Sequence, residues 1–155
     1  MTYSCAYYEN SNFSLSEAQT AKYDRLCRKL NIKESDHVLE IGCGWGGFAE
    51  YAALQTGTNI TGLTISKEQF EFAIKRIKEN KLAQNVSILL QDYRDVVGQF
   101  DRIISIEMLE AVGESYWPTY FKTARGCIIT DLDNNKFKDL STMGVGTNVL
   151  GYGNN

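Results

Sequence analysis

An α/β architecture, with helices packed on a mostly parallel sheet, is expected for this chain of 155 residues. Two observations carry that expectation. Short apolar runs alternate with helical patterns from Ser14 to Ile106. In addition, the run from His37 to Phe48 passes from an apolar segment through a glycine cluster into a helical pattern. That succession is a strand, a tight turn and a helix N-terminus.

The elements follow in order. Ser14 and Glu17 form an S-x-x-E capping box that opens a helix running to about Leu30. Leu15, Ala18, Leu26 and Leu30 can share one face of it. A polar loop, Lys33 to Asp36, leads into a first strand at about Val38 to Ile41. The next helix spans Gly47 to about Gln55 and stops at Gly57. Asn59 to Leu63 reads as a second strand. Ser66 and Gln69 then make another capping box, before Phe70, Ala73, Ile74 and Ile77 at i, i+3, i+4 and i+7. Val86 to Leu90 and Arg102 to Ile106 supply the third and fourth strands, joined by right-handed crossovers.

After about Phe121 the pattern changes. Cys127 to Thr130 and Lys136 to Leu140 flank Asp131 to Asn135 as a hairpin, and a Gly- and Asn-rich stretch without periodicity follows. The expected organisation is an α/β domain over residues 1–121 and an atypical tail over 122–155.

Bulk properties narrow the partners. A net charge of −3, a pI near 5.2 and the lack of a basic run argue against a nucleic-acid surface. Four cysteines show no C-x-x-C spacing, so no zinc site and a reduced, cytoplasmic setting are expected. No signal-peptide pattern or membrane-spanning run is visible, and any lipid contact would be peripheral.

Ligands of such sheets sit beyond the carboxyl ends of the strands. Glu40–Gly47, Thr64–Gln69, Gln91–Arg94 and Ile106–Glu110 lie at those ends and are expected to converge on one crevice. Gly42, Gly44 and Gly47 satisfy the dinucleotide pattern G-x-G-x-x-G. Glu40 and the bulk of Trp45 oppose that reading, because an anionic pyrophosphate would lie over the turn. S-adenosylmethionine instead brings an ammonium and a sulfonium, which a carboxylate favours. The second strand also ends Thr61-Gly62-Leu63-Thr64, without the acid that a dinucleotide ribose requires. The turn therefore reads as a methyl-donor site.

Within it, Gly42, Cys43, Gly44 and Gly46 offer close backbone contact beside Glu40. Thr64 and Gln69 can bond ribose hydroxyls, with Ile65 in the same strand-end segment, although Gln69 is equally explained by its capping box. Asp92 can accept from the adenine amino group while Tyr93 packs on the ring face. Trp45 lines a passage or belongs to the core, His37 reads as a surface residue, and Asp101 as a turn residue before its strand.

From about Met1 to Tyr120 the chain resembles the cyclopropane-fatty-acid synthase family, which includes the mycolic-acid methyltransferases. The resemblance rests on Tyr3-Ser4-Cys5-Ala6-Tyr7-Tyr8-Glu9, Glu17-Ala18-Gln19, Leu39 to Gly47 and Gly62 to Gln69. Gln91 to Asp95, Phe100 to Ile103 and Glu107-Met108-Leu109-Glu110 extend it in the same order. It implies a Rossmann-like class I fold, S-adenosylmethionine as cofactor, and methylation or cyclopropanation of a double bond in an unsaturated acyl lipid. By the same resemblance Tyr3 and Ser4 meet the donor's carboxylate. Glu110, Cys5 and the backbone of Ile106 would surround a bicarbonate ion that removes a proton as the ring closes.

Methyl transfer to an alkene leaves a carbocation, which an anion stabilises, so Glu110 is the first catalytic candidate. Its competing explanation is a carboxylate at a helix N-terminus. Cys5 lacks a histidine to activate it, since His37 is the only one, and a small buried hydrophobe is the alternative. Ala111 stands where many relatives carry a histidine. The tail from Gly126 to Asn148 resembles an early segment of class III pyridoxal-phosphate aminotransferases, remote from their cofactor lysine. It implies no such activity and suggests a truncated or fused reading frame. Two alternatives stay open: methyl transfer to a small nucleophile with Glu110 or Tyr93 as general base, and a non-catalytic donor-binding chain.

Overall fold

In the computed structural model the described residues are 1–123, 129–130 and 136–137. The chain divides into two compact units, Met1–Ile106 and Glu107–Asn155. The first is built on four parallel strands: β1 (His37–Ile41), β2 (Asn59–Thr64), β3 (Val86–Leu90) and β4 (Arg102–Ser105), in the order β3-β2-β1-β4. β1 has a neighbour on each side and is buried from Val38 to Ile41, hence its nearly continuous apolar run. Register pairs Glu40 with Gly62 on β2 and with Ile104 on β4. Helices α1 (Leu15–Leu30), α2 (Gly47–Thr56) and α3 (Lys67–Glu79) supply the remaining core, including Tyr23, Cys27, Phe48, Ala52, Ala73 and Ile77.

Both ends of α1 fall where expected, and its capping box closes in both directions: Glu17 N–H donates to Ser14 Oγ at 3.3 Å, and Ser14 N–H to Glu17 Oε2 at 2.8 Å. Its buried face differs from the expected leucine stripe. Leu15 is exposed, Leu26 and Leu30 are half-buried, and the buried residues are Ala18, Gln19, Lys22, Tyr23 and Cys27. Gln19 and Lys22 are buried because the N-terminal segment bonds to them, an effect that apolar periodicity does not register.

The second capping box is half formed. Ser66 Oγ accepts from Gln69 N–H at 3.3 Å, but Ser66 N–H donates to Thr64 Oγ1 instead of to Gln69. His37 is half-buried rather than a surface residue, with Nε2 2.8 Å from Thr61 Oγ1 and its ring edge-on to Phe100. Asp101 acts across strands: His37 N–H donates to its Oδ2 at 2.8 Å, and Asp101 N–H donates to His37 O. β4 ends at Ser105, one residue before the expected Ile106.

Among its described residues the second unit contains two single-turn 3-10 helices, Leu109–Ala111 and Glu114–Tyr116, then α4 (Trp117–Thr123). An antiparallel pair, β5 (Ile129–Thr130) and β6 (Lys136–Phe137), forms the expected hairpin with Ile129 opposite Phe137. The outer ends of that hairpin, its loop 131–135 and the Gly- and Asn-rich stretch lie outside the described residues. Among the described residues no helix is long and apolar enough to cross a membrane.

Candidate functional site

The chain leaves β1 through a turn in which Gly42, Gly44 and Gly46 take φ of 77°, 52° and 75°. Cys43 N–H donates to Leu63 O on β2 at 2.7 Å, and Gly46 N–H closes the turn on Cys43 O at 2.9 Å. Gly44 is the open position. A Cβ there would meet nothing within 4 Å, so a ligand can lie directly on its backbone. Gly46 and Gly47 also serve packing. A Cβ on Gly46 would come 3.1 Å from the Ala73 Cβ of α3, and one on Gly47 would come 2.7 Å from the Tyr23 hydroxyl. Gly62 on β2 is required by the turn itself, since a Cβ there would sit 2.9 Å from Cys43 Cβ and 3.0 Å from Ile88 Cδ1. Gly62→Ala should therefore cost about 1–3 kcal/mol of stability through overpacking, read as a lower melting temperature.

Glu40, the penultimate residue of β1, is buried at 3% exposure, and its Oε2 has no hydrogen-bond partner among the described residues. Burial pushes this carboxyl well above its usual range, against the pull of the Ala49 backbone N–H and the Lys22 ammonium. The neighbouring thiols are raised by burial too: Cys27 to about 12, and Cys43 far enough to remain an inert thiol at neutral pH. A buried carboxyl with an unfilled acceptor, next to a turn with free space over Gly44, suits a ligand bearing positive charge. It does not suit a pyrophosphate.

Thr64, buried at the end of β2, donates from Oγ1 to Gln69 Oε1 at 2.9 Å and accepts from Ser66 N–H. This bond fixes the Gln69 side chain at the strand end, and Ile65 beside it is exposed. Beyond β3, Asp92 caps a single 3-10 turn, Tyr93–Asp95, and forms a forked pair with Arg94, Nε to Oδ1 at 3.0 Å and Nη2 to Oδ2 at 2.7 Å. That guanidinium holds the Asp92 carboxyl below its usual range, so it stays an acceptor. Tyr93 is buried. Trp45 is half-buried, edge-on to Phe72 of α3, and lies outside the central core.

An N-terminal strap, Met1 to Tyr7, runs along α1 to the glycine turn. Gln19 Nε2 donates to Ser4 O at 2.7 Å, and Lys22 Nζ donates to Ser4 Oγ and to Cys5 O at 2.7 Å. Tyr7 N–H donates to Ala18 O, and Arg25 lies over the Tyr7 ring. Arg76 Nη1 donates both to Met1 O and to Trp45 O, tying the strap's start to the turn. Sequence reasoning missed Gln19, Lys22 and Arg76; polar residues on the inward face of α1 were the available signal for the first two, and nothing in the pattern of α3 marked Arg76. The strap leaves Tyr3 exposed and Ser4 half-buried. Cys5 is exposed, which corrects the alternative of a small buried hydrophobe: its carbonyl is the anchored group. Ile106 is half-buried against the first unit's core. Glu110 belongs to the second unit, exposed within the 3-10 turn Leu109–Ala111.

A parallel sheet ordered 3-2-1-4, with a buried acid near the end of β1 and a glycine turn after it, is the fold of class I S-adenosylmethionine-dependent methyltransferases. Residues 1–131 match the family model described as mycolic acid cyclopropane synthetase, and the chain belongs to that family. It is 47% identical over 121 residues to the cyclopropane-fatty-acyl-phospholipid synthase of Escherichia coli K12, covering 78% of this chain and 30% of that protein. Among solved structures it resembles the cyclopropane synthase MmaA2 from Mycobacterium tuberculosis, at TM-score 0.76 and 36% identity, over 79% of this chain and 43% of that one. The mycolic acid cyclopropane synthase CmaA1, solved with SAH and CTAB, matches at TM-score 0.76 and 33% identity with the same coverage. The chain thus spans less than half the length of these relatives.

Proposed function

We propose that this chain binds S-adenosylmethionine over the turn that follows β1 and directs its methyl group to the double bond of an unsaturated acyl chain in a phospholipid. The observation that carries the reading is the orphaned, buried Glu40 oxygen beside the open backbone of Gly44. The bound SAH in CmaA1 and the activity in the name of the Escherichia coli relative support it. Residues 1–121 carry the donor-binding function in this reading, and 122–155 have no assigned part.

When bound, S-adenosylmethionine supplies a methyl carbon on a positively charged sulfur. Glu40 offsets positive charge at the donor's amino-acid end, and Gly42 to Gly46 bring backbone against it. Tyr3 and Ser4 are assigned to the donor's carboxylate. Thr64, held to Gln69, and the neighbouring Ile65 serve the ribose side; Asp92, kept ionised by Arg94, accepts from the adenine amino group, with Tyr93 beside it. Transfer of that methyl group to an alkene would leave a cation on the acyl chain and the electron pair of the broken carbon–sulfur bond on sulfur. The cation left on the acyl chain then loses a proton to a base. Glu110 is assigned to that step as the residue serving a bicarbonate ion, with Cys5 and Ile106 in the lining roles the family resemblance implies. Glu110→Gln should keep donor affinity within about threefold while lowering turnover by a hundredfold or more, about the scale of lost acid–base catalysis. Single-turnover rates check this, and unchanged turnover moves the base elsewhere.

A substrate held in a bilayer requires the protein to work at a membrane surface, so peripheral contact is part of the proposal. The test incubates the chain with unsaturated phospholipid vesicles and methyl-labelled donor. Label in the acyl chains is the expected result. Label in small amines or hydroxyls only would overturn the lipid assignment, and binding without transfer would define a donor-binding module.

A further inference from the structure

We infer that Gln19 is a ligand residue for the amino-acid end of the donor: its side-chain carbonyl accepts from the donor's ammonium while its NH2 group holds the N-terminal strap. This rests on the donor-binding reading above. Gln19 is 9% exposed, and its two polar ends are in different states. Nε2 donates to Ser4 O at 2.7 Å, which fixes the amide's orientation, because the opposite rotamer would set two carbonyl oxygens against each other. Oε1 is buried with no hydrogen-bond partner among the described residues. A buried acceptor left unfilled is costly, and a ligand donor would remove that cost.

The second observation is independent of the first. Glu40 Oε2 is likewise buried and unfilled. Gln19 lies one helical turn before Lys22 and Tyr23 on α1, and both of those side chains interact electrostatically with Glu40. The face of α1 that carries Gln19 therefore addresses the end of β1. The same neighbourhood reaches the glycine turn, since the Tyr23 hydroxyl bonds Thr2 Oγ1 at 3.3 Å and would lie 2.7 Å from a Cβ on Gly47. Two unfilled acceptors, one on α1 and one on β1, match an ammonium, which has three N–H donors, and repel a carboxylate or phosphate. Because one side chain holds both ligand and strap, occupancy of the site would order residues 2–5 over it.

The test is calorimetry on the full chain with two ligands: S-adenosylhomocysteine, and 5′-methylthioadenosine, which lacks the amino-acid end. Gln19→Leu should weaken S-adenosylhomocysteine about tenfold to a hundredfold, the scale of one hydrogen bond to a charged group, and leave methylthioadenosine unchanged. Gln19→Glu keeps an acceptor while giving up the donor to Ser4, so it should bind S-adenosylhomocysteine more tightly than Gln19→Leu while exposing the strap to protease. Unchanged S-adenosylhomocysteine affinity in Gln19→Leu would overturn the inference. So would equal losses for both ligands, or S-adenosylhomocysteine binding in Gln19→Glu no tighter than in Gln19→Leu. A native chain that binds neither ligand would instead overturn the donor-binding reading itself.

Discussion

Gly44→Val should give a folded chain whose affinity for S-adenosylhomocysteine has fallen about a hundredfold or more, equivalent to about 2.8 kcal/mol. Two effects combine. Gly44 sits at φ 52°, a conformation that a β-branched residue adopts only at a cost of about 1–3 kcal/mol. The added side chain would also project into space that is open to at least 4 Å, and that space is the donor's approach. The damage falls on the site rather than the core, because no protein atom contests the new Cβ. Gly44→Ala carries part of the backbone strain with fewer added atoms and should give an intermediate loss. Calorimetry measures the affinities, and circular dichroism establishes that the fold persists. Full affinity in the valine variant would move the donor away from this turn.

Glu40→Gln should uncouple stability from pH and weaken donor binding together. Below the ordinary carboxyl value of 4.5, both folded and unfolded chains hold the proton, and Glu40 contributes no slope. Above it the unfolded chain ionises while the buried carboxyl keeps its proton. Folding then takes up a proton, and stability falls as pH rises, by up to about 1.4 kcal/mol per unit, until the folded group ionises too. Glutamine imitates the protonated acid at every pH. The variant should therefore melt higher than the native chain at pH 7 and equally at pH 4. Its affinity for a cationic donor should fall about tenfold to a hundredfold, since it offers a dipole in place of a charge. A native chain that is more stable at pH 7 than the variant would show Glu40 to be paired, and would remove the electrostatic basis of the site.

The strand-turn-helix at His37–Phe48 was legible because its parts agree: apolar residues for a strand with neighbours on both sides, glycines for left-handed backbone, and Gly57 to end the helix. Glu40 stood out as a candidate because a carboxylate closing an apolar run disfavours a pyrophosphate over the following turn. The burial of α1 was not legible, because Gln19 and Lys22 face inward to hold backbone carbonyls of the strap, contacts made fifteen or more residues away in sequence. Gly62 was unreadable for a related reason. Its missing side chain makes room for Cys43, and only the β1–β2 register brings the two together. Local patterns report local bonds, such as the Ser14–Glu17 box; the Thr64–Gln69 bond had to compete with a second box and won.

Titrating the native chain with S-adenosylhomocysteine and, separately, with NAD decides whether the end of β1 receives a positively charged nucleoside donor. Performed in two buffers of different ionisation enthalpy, the titration should show one-site binding of S-adenosylhomocysteine accompanied by proton release as Glu40 ionises against the ligand's ammonium, and no heat with NAD. Binding of NAD in its place, or no heat from S-adenosylhomocysteine on folded protein, would mean that this strand end is not a methyl-donor site.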